Sequence, residues 1–254
     1  MSISIFSFDE VPNVLIFDRI DSTSKELSRM VGNGFAEQGD IILAGVQTDG
    51  YGRDGRKWES QSGNLFASFL LKPKIPIEQL TFVSFLLAKN ILEVLQEIIK
   101  DKANVSYKWP NDIMLNDKKI GGVLLQTYLA QGSNICDTMI CGLGLNLKHH
   151  PEFIQSTDIF HEIQLILDRN AILFSILQRF DIEYQKSYGL DRMDEIIAFL
   201  KSNTNLLGKE ITVHDGDAKK SGICSDIDRK GNLVLDYNNS MERILSADII
   251  DIVA

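Results

Sequence analysis

Twelve consecutive residues, Gln47-Thr48-Asp49-Gly50-Tyr51-Gly52-Arg53-Asp54-Gly55-Arg56-Lys57-Trp58, hold three glycines and three cations. Glycine lets backbone amides approach a ligand closely, and arginine presents a planar fork of donors, so a loop of this make-up suits an anionic group. The spacing Gly50-x-Gly52-x-x-Gly55 formally satisfies the dinucleotide-binding fingerprint. That fingerprint must run from a strand straight into a helix whose N-terminus holds the pyrophosphate, whereas Arg56 to Asn64 leads through Trp58 and Gly63 to another strand. A G-x-x-x-x-G-K-[ST] phosphate loop is absent as well. An anion-binding loop and a solvated surface loop both fit these residues.

A second run, Lys108-Trp109-Pro110-Asn111-Asp112, ends a strand and starts a turn, because proline disfavours helix in the residue before it. It reads either as a turn anchored by Trp109 or as a rim where an aromatic and an amide meet a planar ligand. Lys119 closes the polar turn Asn116-Asp117-Lys118 just before Ile120-Gly121-Gly122, where a ligand would be able to lie against bare backbone. Asp21, Ser22 and Thr23 are alternative caps for a following helix, with Glu26 at capping-box spacing from Thr23. Metal and nucleophile searches return little. The four histidines, His149, His150, His161 and His214, lack ligand spacing, no G-x-S-x-G elbow occurs, and Cys141 sits in an apolar strand as an inert thiol.

These residues must be positioned by the elements between them. The pattern predicts a strand at 14–17, a helix at 24–31, strands at 41–46 and 65–71, and a core helix across 77–100 with Leu80, Val83, Leu87, Ile91, Val94, Leu95 and Ile98 at helical spacing. Short strands at 105–108 and 113–115 form a hairpin around Trp109-Pro110, and strands follow at 120–129 and 139–147. Gly142 and Gly144 stand two apart in the last of these, which strips side chains from one face. Helices are expected at 171–187 and 192–203. From Leu206 the helical period disappears, and strands at 210–214, 220–227, 233–237 and 242–246 alternate with Asp-Gly and Lys-Gly-Asn turns, so the boundary between a larger unit, 1–205, and a small β unit, 206–254, is placed near residue 205.

With 254 residues, 44% hydrophobic and 24% charged, the chain has the ordinary globular mix, which excludes disordered, collagen-like and coiled-coil readings. No stretch reaches the apolar length of a membrane span and no signal-peptide pattern opens the chain, so a cytoplasmic protein is expected. Cys136, Cys141 and Cys224 lack C-x-x-C pairing and are read as reduced. The net charge of −9 disfavours nucleic acid and anionic membrane as partners.

In this order and spacing, Asp21-Ser22-Thr23, the glycine-arginine loop, Lys108-Trp109-Pro110-Asn111-Asp112 with Lys119-Ile120-Gly121-Gly122, and Gly142-Leu143-Gly144-Leu145-Asn146 resemble biotin protein ligase across almost the whole chain. The resemblance implies an α+β fold: a mixed sheet flanked by helices, like class II aminoacyl-tRNA synthetases, followed by a small SH3-like β-barrel. It implies ATP and biotin as substrates with Mg²⁺, biotinyl-5′-AMP as intermediate, and a lysine of a biotin carboxyl carrier protein as acceptor. Lys119, Arg53, Arg56 and Asp112 would be catalytic. Ser22, Thr23, Gln47, Gly50, Gly52, Arg53, Lys119, Gly121 and Gly122 would bind biotin. Arg53, Arg56, Trp58, Asn111, Gly142 and Asn146 would bind the adenylate. Asp112 would either hold Mg²⁺ or orient the incoming amine.

Tyr51 and Asp54 depart from the family, which carries arginine at the first position and often a basic residue at the second, so the loop's positive charge is lower. The motifs begin about 20 residues from the N-terminus, which leads to the expectation of a monofunctional type without a helix-turn-helix domain, a monomer or weak homodimer. The rival readings are a lipoate or octanoate transferase of the same fold, whose pocket would need no polar partners for a ureido ring, and a biotin sensor without transfer activity.

Overall fold

A computed structural model describes residues 13–129, 132–152, 155–186, 190–215, 218–237 and 240–252. Strands β1 (Val14–Ile20) and β2 (Ile41–Gln47) run parallel because helix α1 (Thr23–Gly32) carries the chain back between them. Ser22 is the residue that caps α1: its backbone is extended, and its side chain accepts from Lys25 N at 3.5 Å. Next come β3 (Leu65–Leu71), whose seven residues are all buried, and the two-residue β4 (Ile75–Pro76). After helix α2 (Leu80–Ile99), β5 (Val105–Lys108) and β6 (Asp112–Leu115) form the hairpin expected around Trp109-Pro110, whose peptide bond is cis.

Strands β7 (Lys118–Leu129) and β8 (Ile135–Leu145) complete a mixed sheet of order β1-β2-β3-β8-β7-β6-β5, with β4 also pairing β8. Helices α3 (Ile159–Ile163), α4 (Arg169–Tyr184) and α5 (Leu190–Ser202) follow. One face of the sheet is sealed by α2, which buries residues nearly all round its surface, and by α4, where Phe180 meets Phe69 edge-on at 5.5 Å. The other face is covered only in part: Leu27 of α1 packs on Ile42, Leu70 and Ile140. The rest of that face is open.

The second sheet is all antiparallel. It contains β9 (Glu210–Asp215), β10 (Ala218–Ile227), β11 (Leu233–Tyr237), β12 (Ser240–Ile244) and β13 (Asp248–Ile252), in the order β12-β11-β10-β9-β13. The expected barrel is not seen to close, since β12 and β13 are the two edges of this path and no pairing joins them among the described residues. Three elements lie outside the sequence pattern. Strand β4 and helix α3 are too short to show a period, and β13 is broken by a bulge between Ile249 and Asp251 that puts two isoleucines in succession. No helix among the described residues is long and apolar enough to cross a membrane.

The two sheets share one hydrophobic cluster that runs from Phe85, Tyr107 and Trp109 into Ile211, Val213 and Leu233. Trp109 is a structural anchor: it is 2% exposed, and its indole N–H donates to Gly231 O at 2.9 Å. Gly231 has φ +82°, and a Cβ there would lie 2.4 Å from Thr81 Cγ2 and 3.1 Å from the Phe85 ring. Only glycine meets both demands. Gly231→Ala is therefore expected to lower stability by about 1–3 kcal/mol through strain and overpacking, read as the midpoint of urea unfolding. An unchanged midpoint would remove this glycine from the docking of the sheets.

Candidate active site

The open face of the first sheet is the floor of a cavity of about 890 Å³. Residues directly opposite one another in an antiparallel sheet share a face, so the pairings Phe66–Gly144, Gly144–Gly122 and Gly122–Asp112 form one row across it. The next row is Ser68, Gly142 and Leu124. Glycines thus clear the middle of the floor, and the space is entered by side chains from elsewhere. A Cβ on Gly144 would lie 2.7–2.9 Å from the Trp58 indole, and one on Gly142 would lie 3.0 Å from Ser24 Oγ. Trp58 Nε1 is buried with no hydrogen-bond partner among the described residues.

At one end the polar groups form a connected set. Gln47 Oε1 accepts from Thr23 N at 2.8 Å and from Thr23 Oγ1 at 3.2 Å, while Gln47 Nε2 donates to Ser60 Oγ at 3.0 Å. Thr23 Oγ1 and Ser24 Oγ each share a hydrogen bond with Ser68 Oγ, at 2.7 and 2.9 Å. Ser22 and Thr23 are buried at 2% and 3%. This end offers hydroxyls and an amide held in fixed orientations, which suits a neutral polar ring in a mostly apolar wall.

The other end is cationic. Lys119 Nζ lies 2.6 Å from Asp112 Oδ1 and 5.5 Å from the Trp58 ring centroid. Lys108 donates to Ile249 O at 3.2 Å, and burial pushes its ammonium below the ordinary lysine range against the opposing pull of Asp112. The glycine-arginine segment is a tight reversal. Tyr51 and Lys57 form an antiparallel bridge, Gly52 N donates to Arg56 O at 2.7 Å, and Asp54 and Gly55 both take positive φ. Tyr51 donates to Gln126 Oε1 at 2.8 Å and packs under Lys25.

The cavity brings together Ser22, Thr23, Gln47, Gly52, Arg53, Arg56, Trp58, Asn111, Asp112, Lys119, Gly122 and Gly142. Three of the residues singled out by sequence are not among its walls. A Cβ on Gly50 would strike Trp58 O at 2.8 Å and one on Gly121 would strike Leu145 Cδ2 at 2.3 Å, so both serve close packing of the chain. Asn146 is buried, with Nδ2 donating to Thr157 O at 3.2 Å. Asn111 reaches the cavity, but its amide donates to Val123 O at 2.7 Å and so ties the hairpin to β7.

Several wall residues escaped the sequence reading. Ser68 is a lone hydroxyl in an otherwise apolar strand, which is the signal that would have found it. Asp248 to Ile252 and Lys209 carried no signal, because their place in the wall depends on how the second sheet docks.

The sequence profile of the Biotin/lipoate A/B protein ligase family matches residues 16–146, and that of the Biotin protein ligase C terminal domain matches residues 206–250. The chain belongs to this family. It is similar to the biotin protein ligase of Aquifex aeolicus solved with biotin and ATP: 30% identity, a TM-score of 0.79, and coverage of 93% of this chain and 97% of that one. It is 27% identical over 242 residues to the bifunctional ligase/repressor BirA of Bacillus subtilis, covering 92% of this chain and 73% of that protein. With the biotin–[acetyl-CoA-carboxylase] ligase of Mycobacterium tuberculosis it shares 24% identity over 235 residues, 90% of this chain and 85% of that one.

The contact of Trp58 with bare backbone yields a direct test. Gly144→Ala should displace the indole, shift tryptophan emission relative to the parent protein, and cost about 1–3 kcal/mol in unfolding free energy. Unaltered emission would mean that Trp58 does not rest on β8.

Proposed function

We propose that this chain is a biotin protein ligase that joins biotin to ATP, releasing pyrophosphate, and then transfers biotin to a lysine of a carrier domain. The observation that carries the reading is the juxtaposition in one cavity of a fixed polar end, around Thr23 and Gln47, with a cationic end, around Lys119 and Arg53. The ureido head of biotin would lie among Ser22, Thr23 and Gln47, and its carboxylate would point toward Lys119. Ser22 and Thr23 reach the pocket because they open α1.

In the first step a biotin carboxylate oxygen attacks the α-phosphorus of ATP, forming a P–O bond as the bond to pyrophosphate breaks. Negative charge builds on the α-phosphoryl oxygens, where Lys119, Arg53 and Arg56 would stabilise it. Trp58 would lie against the adenylate, its flat face set by Gly144. In the second step the carrier's amine attacks the mixed-anhydride carbonyl, AMP leaves, and the proton released from the amine goes to solvent or to a carboxylate. Asp112 pairs with Lys119, so it would hold that ammonium in place and be the carboxylate set to orient the incoming amine.

The residues do not form a cage for Mg²⁺: among the described residues no three His, Cys, Asp or Glu side chains converge. They fit an ion that arrives with ATP, since magnesium keeps its waters and binds through few carboxylates, with Asp112 as a protein ligand. Such an ion would supply charge neutralisation on the phosphates. Residues 1–205 would form the catalytic unit, and 206–254 a unit that completes the nucleotide side.

The test is pyrophosphate release from ATP and Mg²⁺ with biotin, run in parallel with lipoate, followed by mass spectrometry of an added biotin carboxyl carrier domain. Biotin-dependent release and a biotinylated lysine are expected, and release only with lipoate would overturn the reading. Lys119→Ala should slow adenylate formation by about 10²–10³-fold while thermal unfolding stays near the parent value. Unchanged turnover would take Lys119 out of the chemistry.

A further inference from the structure

The two arginines of the glycine-arginine segment are met by one short stretch of chain at the edge of the second sheet. Arg56 Nη2 lies 2.9 Å from Asp248 Oδ1, and Arg53 Nη1 lies 3.8 Å from the same oxygen. Arg53 also donates to Ser246 Oγ at 2.8 Å and to Ala247 O at 3.4 Å. Next in the chain, Ile249 O accepts from Lys108 Nζ. Four consecutive residues, Ser246 to Ile249, that lead into β13 thus hold three cations at the cavity, two from the loop and one from β5.

The backbone of the segment is closed by its own bridge between Tyr51 and Lys57, but its arginine side chains reach beyond it for carboxylate and hydroxyl partners. At its tip is a single 3₁₀ turn, Arg53–Gly55, with positive φ at Asp54 and Gly55 and no buried residue. Asp54 lies 3.8 Å from Arg56 and withdraws part of that charge, and the neutral Tyr51 spends its hydroxyl on Gln126. Anion binding at this loop therefore rests on Arg53 and Arg56. Within the loop Arg56 Nε donates to Arg53 O at 3.2 Å, and from outside it a carboxylate on one edge of each fork leaves other N–H donors to face the cavity.

We propose that Asp248 is a positioning residue for the arginine loop. It holds Arg53 and Arg56 over the cavity, so that capture of ATP and retention of the adenylate depend on the docked second sheet. The assignment to an adenylate rests on the ligase reading above, whereas the clamp itself rests on the contacts alone. Two readouts keep these apart.

Hydrogen exchange of the free protein tests the clamp with no substrate present. Asp248→Asn is nearly isosteric at a partly exposed position, and is expected to speed exchange of the 52–58 amides while the amides of β9 to β11 keep their protection. Ser246→Ala should do the same to a smaller extent. Kinetics test the consequence. Asp248→Asn should raise the KM for ATP and the rate of biotinyl-AMP loss about three- to fivefold, the scale of a half-exposed ion pair, with kcat little changed and substantial rescue in Asp248→Glu. Unchanged exchange at 52–58 in both variants would overturn the clamp. So would a lower KM or slower adenylate loss in Asp248→Asn, because Asp248 would then compete with the phosphate. If the parent protein formed no biotinyl-AMP while the exchange result held, the ligase reading would fall and the clamp would stand.

Discussion

The site depends on one close contact, the Trp58 indole lying on the bare backbone of Gly144. Because a Cβ at that position would come within 2.7 Å of the ring, the contact exists only while the central strand of the sheet lacks a side chain there. Much else follows from it. Trp58 closes the glycine-arginine segment, since its amide donates to Gly50 O at 2.9 Å, and its ring lies beside the Lys119 ammonium. The same tryptophan joins the polar and cationic ends of the cavity, because Ser60, which accepts from Gln47, donates in turn to Trp58 O at 3.3 Å. A strand buried on its other face by α2 and α4 gives this contact a rigid base.

The electrostatics explain how a protein of net charge −9 serves an anion. Four of its cations near the cavity are paired locally: Lys119 with Asp112, Arg53 and Arg56 with Asp248, Lys57 with Glu59. An entering anion therefore meets arginine and lysine side chains that are already oriented, through the N–H donors their carboxylate partners leave free, and little reorganisation is needed when charge develops. Dissolved salt keeps this field short in range, since beyond about 10 Å at moderate ionic strength such charges are screened.

Much of this was legible in the sequence, and the physical reason is local. Leu65–Leu71, Val105–Lys108 and Leu233–Tyr237 begin and end where alternation and turn residues put them, because each is bounded by glycine, proline or polar turns. The period-two glycines of β8 correctly marked a face open to close approach. What approaches, though, is the protein's own Trp58 and Ser24. Gly50, Gly121 and Asn146 sit inside the motifs but not among the cavity walls, and the contacts they make let neighbouring chain pack. Lys108-Trp109-Pro110-Asn111-Asp112 divides in the same way: Trp109 and Asn111 hold structure together, while Lys108 and Asp112 face cations and carbonyls at the cavity.

What sequence spacing leaves hidden is the second sheet's share in the site. A β unit of this size buries too little surface to be stable alone, so it must dock, and its docking surface is the hydrophobic cluster around Trp109 and Phe85. Docking through Trp109 and Gly231 brings β13 to the cavity, more than a hundred residues along the chain from the arginines it meets. No local pattern can encode such a meeting. The bulge in β13, which defeats the alternation a reader looks for, lies between Ile249, whose carbonyl accepts a hydrogen bond from Lys108 Nζ, and Asp251, another wall residue. The irregularity that hides the strand from sequence reading therefore falls where the strand contributes to the cavity wall, and regular pairing resumes beyond it.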